Sequence, residues 1–120
     1  MKIIYIAGKL NDDAVGYIKN MHHMMTYANF VKRKGYAVFI PCLDFLMGLL
    51  DGHYGYEDYF NNNQVILTKC DYMYVCPGYQ TSKGTLKEIA LAESLKIPVF
   101  YFLEDLDGKQ WNLWNEYAVQ

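Results

Sequence analysis

The residues best suited to covalent chemistry lie in the segment Pro77-Gly78-Tyr79-Gln80-Thr81-Ser82-Lys83-Gly84-Thr85-Leu86-Lys87-Glu88. It leads from an apolar strand-like run into a helix-like one, and places a carboxylate within the first turns of that helix. Backbone N–H groups and the helix dipole favour an ionised Glu88 there. An ionised, positioned carboxylate can attack the anomeric carbon of a glycoside and form a covalent intermediate. The same spacing has a plainer meaning. Thr85-x-x-Glu88 is a capping box, in which Glu88 only satisfies a backbone donor, and pattern alone favours that cap.

Asn63 is the second residue of interest. It interrupts the apolar face formed by Tyr59, Phe60, Ile66 and Leu67. A buried amide needs hydrogen-bond partners, and a ligand is one way to supply them. A surface position, with the helix register displaced by one among Asn61, Asn62 and Asn63, accounts for the pattern equally well. Tyr5 lies inside the first strand, where filling the core is the default use of an aromatic ring. Lys9 follows a single glycine, and neither a Walker sequence nor G-x-G-x-x-G is present. His22, His23 and His53 lack ligand spacing and read as surface residues.

These residues must be positioned by alternating strands and helices. Ile3 to Ala7 is a continuous apolar run ended by Gly8, the signature of a strand buried on both faces. Asn11, Asp12 and Asp13 offer cap chemistry for a helix running to about Lys34, with Gly35 as its stop. Ala37 to Ile40 is a second strand, closed by Pro41. The stretch 42–56 is ambiguous between a short helix and an apolar loop. A helix from about Glu57 to Lys69, a strand from Tyr72 to Cys76, a helix from about Ser82 to Leu95 and a strand from Ile97 to Phe102 follow. This order predicts one α/β domain over 1–120: a three-layer αβα sandwich on a flavodoxin- or Rossmann-like parallel sheet of four to five strands. Ligands of such sheets sit beyond the carboxyl ends of the strands, where Glu88 is expected.

Composition narrows the partners. The chain has 120 residues, 11 basic against 13 acidic, for a net charge of −2, which argues against gripping a nucleic-acid polymer. Apolar runs of at most about six residues leave no membrane span, and Ile3 to Ala7 is too short for a signal peptide. Cys42, Cys70 and Cys76 form no C-x-x-C pair, so neither a structural metal site nor a disulfide set is expected, and a reducing cytoplasm is the natural setting. Twelve tyrosines suit interfaces and pockets for planar ligands.

One family unites these pieces. Ile4-Tyr5-Ile6-Ala7-Gly8, Tyr17-x-x-Asn20, Gly35-Tyr36-x-Val38-x-x-Pro41, Cys70-Asp71, Pro77-Gly78, Ser82-x-Gly84-x-x-x-Glu88 and Ile97-Pro98-Val99 occur in this order across most of the chain. Together they resemble the nucleoside 2-deoxyribosyltransferase superfamily, especially its small phage and bacterial domains. The resemblance implies cleavage of the N-glycosidic bond of a nucleoside or nucleoside monophosphate, with transfer to another base or to water, and needs no cofactor.

By the same resemblance Glu88 is the nucleophile and Tyr5 holds its carboxylate. Asn63 stands where a catalytic aspartate is usual. Ser82 falls at a sugar-binding position and Gly84 among the substrate-binding residues, with Gly8, Lys9 and Asn11 where phosphate binds. Asn112 matches an asparagine that one subunit lends to its neighbour, which implies a homo-oligomer. An asparagine at position 63 cannot act as an acid or base near neutral pH, and such help is worth roughly 10²–10⁴-fold. The alternative is therefore a nucleotide-binding module of the same fold with little or no turnover. Pro77-Gly78 followed by Gly84-Thr85-x-x-Glu88 also resembles the P-G-G-x-G-T-x-x-E loop of nucleotide phosphoribohydrolases, with a longer insertion between the halves. A flavodoxin-like interaction domain, in which Glu88 serves only the helix cap, completes the set.

Overall fold

The computed structural model describes residues 1–110, apart from the side chain of Phe45. Asn112 and the apolar stretch Trp111 to Trp114 lie outside the described residues. Four parallel strands, β1 (Ile3–Ala7), β2 (Ala37–Phe39), β3 (Tyr72–Val75) and β4 (Val99–Phe100), pair in the order β2-β1-β3-β4. The helices are α1 (Ala14–Arg33), α2 (Phe45–Asp51), α3 (Tyr56–Leu67) and α4 (Lys83–Ser94). The chain is thus the expected three-layer α/β sandwich.

Side-chain alternation along β1 divides the core in two. Ile4 and Ile6 face Met24, Ala28 and Val31 of α1, whereas Tyr5 and Ala7 face Leu67, Ile89 and Ala92 of α3 and α4. Both faces of β1 are covered, which is why its sequence is apolar without alternation. The topology reverses between β1 and β3, where Ala7 pairs with Val75. Gly8 and the Pro77–Ser82 connection therefore emerge side by side, at the crevice where open α/β sheets bind ligands.

Local chemistry sets the element ends. Asp13 caps α1 by accepting from the Gly16 N–H at 2.8 Å, and Gly35 ends it at φ 100°, a conformation few side chains tolerate. Asp13→Ala should destabilise the fold by about 1 kcal/mol in urea titration without altering the cavity described below. The tail packs back through Tyr36, whose hydroxyl donates to the Leu106 carbonyl, and through a Lys34–Asp107 ion pair of 2.5 Å.

Two expectations change. The last strand is two residues long rather than Ile97 to Phe102, because Pro98 has no N–H to donate and only its carbonyl joins β3, accepting from Met73. The ambiguous stretch 42–56 resolves into a 3₁₀ turn (Pro41–Asp44), the short α2 and the start of α3. No helix among the described residues is long and apolar enough to cross a membrane.

Candidate active site

A cavity of about 710 Å³ opens at the carboxyl ends of β1 and β2 and the amino end of α4. That volume suits a ligand the size of a nucleotide. Gly8, Lys9 and Asn11 line one side, Ser82, Gly84 and Glu88 another, and Asn63 a third. The fold thus brings these seven residues to one cavity; Asn112 lies outside the described residues.

Glu88 sits one and a half turns into α4 and its Oε2 accepts a hydrogen bond from the Tyr5 hydroxyl, across 83 residues of sequence. Tyr5 is fully buried in β1, so its hydroxyl is held by the sheet itself. This geometry replaces the capping-box reading. The cap of α4 is Ser82, whose Oγ accepts from the Thr85 N–H at 3.2 Å and from the Thr85 hydroxyl at 2.8 Å. Thr85 is already the third residue of the helix, so Glu88 lies beyond reach of the cap position.

Burial pushes the Glu88 carboxyl from 4.5 up to about 7, the Tyr5 hydrogen bond opposes this, and the nearby Asp44 carboxyl adds to it. The expected influence of the helix amino terminus is therefore overridden by desolvation. The group changes charge near neutral pH, with a bound donor stabilising its anion. The Tyr5 phenol is in turn driven well above its ordinary range, chiefly by burial and then by Glu88. It remains a hydrogen-bond donor throughout the physiological range.

Of Asn61, Asn62 and Asn63, only Asn63 is buried, which settles the register of α3. Its side-chain oxygen accepts from Asn62 at 3.4 Å, and its amide bonds Asp44. An aromatic wall faces α4. Tyr54 packs edge-on to Tyr59 at 5.4 Å, and Tyr56 stacks on Phe60 at 5.8 Å. Lys87 Nζ lies over both Tyr56 and Phe60, at 5.7 and 5.9 Å. Gly84 permits this approach, since a Cβ there would come within 3.3 Å of the Tyr56 hydroxyl. His53, beside these tyrosines in sequence, is exposed.

Asp44 is the residue that sequence reasoning missed. It lines the cavity at the end of the 3₁₀ turn after β2, and its Oδ2 is buried with no hydrogen-bond partner among the described residues. A signal was present: from Ala37 to Leu50 it is the lone charged residue in an otherwise apolar stretch. The cysteines, by contrast, are buried, with the thiols of Cys42 and Cys70 pushed up to about 11 and that of Cys76 to about 12, in each case chiefly by desolvation. They pack as hydrophobes. Among the described residues no group of three or more His, Cys, Asp or Glu side chains is placed to hold a metal ion.

Comparison with known proteins gives three findings. Residues 2–101 match the profile of a family described as a domain of unknown function, DUF4406. Among solved structures, a 2-deoxyribosyltransferase from Bacillus psychrosaccharolyticus superposes with a TM-score of 0.64 at 14% identity, covering 94% of each chain. The CMP N-glycosidase BcmB of Clostridium botulinum superposes with a TM-score of 0.55 at 15% identity, covering 98% of this chain and 96% of the other. These likenesses establish the deoxyribosyltransferase-like fold. No curated protein matches the sequence at a significant level.

Proposed function

The chain belongs to the DUF4406 family, and from the site its fold builds we propose that it cleaves or transfers at the N-glycosidic bond of a nucleoside or nucleoside monophosphate, with Glu88 as nucleophile. The observation that carries this reading is the Tyr5–Glu88 pair at the floor of a nucleotide-sized cavity. A carboxylate held only for structure has no reason to be buried at a ligand crevice, at an electrostatic cost, with its donor supplied by the central strand.

In this mechanism the Glu88 carboxylate attacks C1′, and the C1′–N bond breaks with its electron pair passing to the base. A glycosyl ester of Glu88 results. Water or a second base then attacks C1′, and the ester opens to return Glu88 as a carboxylate. Tyr5 orients Glu88 and favours its anion. The aromatic wall of Tyr54, Tyr56 and Phe60 offers flat faces to the base. Lys9, with Gly8 and Asn11 at the end of β1, provides a cationic position for a 5′-phosphate. Ser82, already engaged with Thr85, keeps its hydroxyl proton for a sugar oxygen.

Asn63 supports the competing reading of a binding module with little turnover, since an amide carries no proton. Assembly into a homo-oligomer belongs to the same proposal. Leu46, Met47, Leu49 and Leu50 of α2 are exposed beside the cavity, in keeping with apolar surface shared between copies, and light scattering reads the state directly.

The experiment is chromatographic. The protein is incubated with deoxy- and ribonucleosides and their monophosphates, and free base is measured. Base release marks a glycosidase, and exchange on adding a second free base marks a transferase. Ligands that raise the melting temperature with no base released from any substrate would establish the binding module instead.

A further inference from the structure

The cavity holds a second carboxyl group whose chemistry the glycosidic reading leaves unassigned. Asp44 stands in the cap position of α2 yet makes no side-chain cap bond there. Its carboxyl turns instead toward Asn63 of α3, which bonds it, while Oδ2 stays buried with no partner among the described residues. A buried oxygen left unpaired at a ligand cavity is expensive unless the ligand completes it. Asp44 also lies close enough to act electrostatically on Tyr5, Tyr17, Cys42, Tyr59 and Glu88, which come from every element around this end of the cavity.

Resting on the glycosidase reading, we infer that Asp44 is the proton carrier of this site, giving its carboxyl proton to the leaving base. Burial raises the proton affinity of both carboxyls, that of Glu88 to about 7, so near neutral pH the two compete for a proton that either can carry. The two are not equivalent. Tyr5 donates to Glu88 and so favours its anion, which a nucleophile must be. Oδ2 of Asp44 receives no donor among the described residues, and Asp44 itself lines the cavity that a ligand fills. Burial raises the affinity of Asp44 for that proton, with the Asn63 bond opposing it.

The step balances. The Glu88 carboxylate forms a bond to C1′ as the C1′–N bond breaks, and the Asp44 proton passes to the base nitrogen that receives the electron pair. Neutral base, glycosyl ester and Asp44 carboxylate result. In the second half Asp44 takes a proton from the attacking water as the Glu88 ester opens. The proton-carrying group absent at position 63 is thereby supplied from β2's end of the cavity, with Asn63 as its holder.

The test separates proton delivery from binding. Asp44→Asn should slow base release from the best nucleoside or nucleotide of the panel by roughly 10²–10⁴-fold. It should slow the 4-nitrophenyl glycoside of the same sugar by less than about tenfold, because nitrophenolate departs without a proton. Glu88→Gln should lose both. Equal losses on the two substrates in Asp44→Asn would overturn the assignment. A second measurement needs no variant and carries the test where Asp44→Asn does not fold or the aryl glycoside is not cleaved: across nucleosides with bases of graded acidity, the unaltered chain should show rates nearly independent of the leaving group, and a steep dependence would overturn it. Failure of the underlying reading has a different signature, in which the unaltered chain cleaves no substrate of either kind, or Glu88→Gln retains full activity.

Discussion

Glu88→Gln should abolish base release, with a loss of about 10⁴-fold or more, and should at the same time make the protein more stable at pH 8. The first effect follows, on the proposed mechanism, from removing the carboxylate that attacks C1′ while keeping its shape and its bond from Tyr5. The second follows from linkage. The Glu88 carboxyl is raised from 4.5 to about 7 in the fold, so the folded chain holds this proton more tightly than the unfolded one. As pH rises above about 4.5 the unfolded chain gives the proton up and the folded chain must follow against the cost of burying the charge. The penalty therefore grows from about pH 4.5 to about pH 7 and is complete above, on the order of 3 kcal/mol.

Glutamine carries no such penalty. The difference in unfolding free energy between the variant and the unaltered chain should be small at pH 4, rise across that window, and plateau above it. Denaturant titrations at a series of pH values read this directly. A variant that keeps base release, or that is weaker by about 1 kcal/mol at every pH as a lost helix cap would make it, would return Glu88 to a structural role.

Tyr5→Phe should leave the fold intact and slow base release at pH 7 by roughly 10–100-fold, as expected for a hydrogen bond to a charged group. The ring is retained in the core beside Phe39, with centroids 5.5 Å apart, so packing changes little. What disappears is the hydroxyl that lowers the proton affinity of Glu88. Glu88 then requires a higher pH to ionise, and the acidic limb of the pH–rate profile should move up from about 7. Part of the lost activity should return at higher pH. A uniform loss across the profile, with the limb unmoved, would show that Tyr5 acts on substrate placement and not on the charge of Glu88.

Much of this arrangement was legible in the residues. The unbroken apolar run of β1, the cap at Asp13, the stop at Gly35 and the strand-to-helix passage through Pro77 and Ser82 are local signals, and each appears where local chemistry puts it. Resemblance added Tyr5 and Glu88 as partners, a contact between residues 83 apart that no local pattern contains. Local signals also misled. Thr85-x-x-Glu88 has the spacing of a capping box, but Ser82 reaches the cap position first. Asp44 was passed over because it belongs to no motif. Its significance depends on α3 bringing Asn63 against it, and that is a property of packing. The length of β4 was misread because periodicity does not register the donor missing at Pro98.

The position of β1 has a consequence for how the cavity can open. This strand is paired on both sides and covered on both faces, so its amides are released to solvent only when the whole domain unfolds. Tyr5 is therefore fixed on the slowest timescale the molecule possesses. The opposite wall is built differently, since Tyr54 precedes α3 and Tyr56 begins it, and within the single chain α2 leaves Leu46, Met47, Leu49 and Leu50 exposed. Small local openings concentrate in such sparsely packed segments. Admission of a ligand is thus expected to depend on this wall and not on Tyr5, whose strand is held from both sides and both faces.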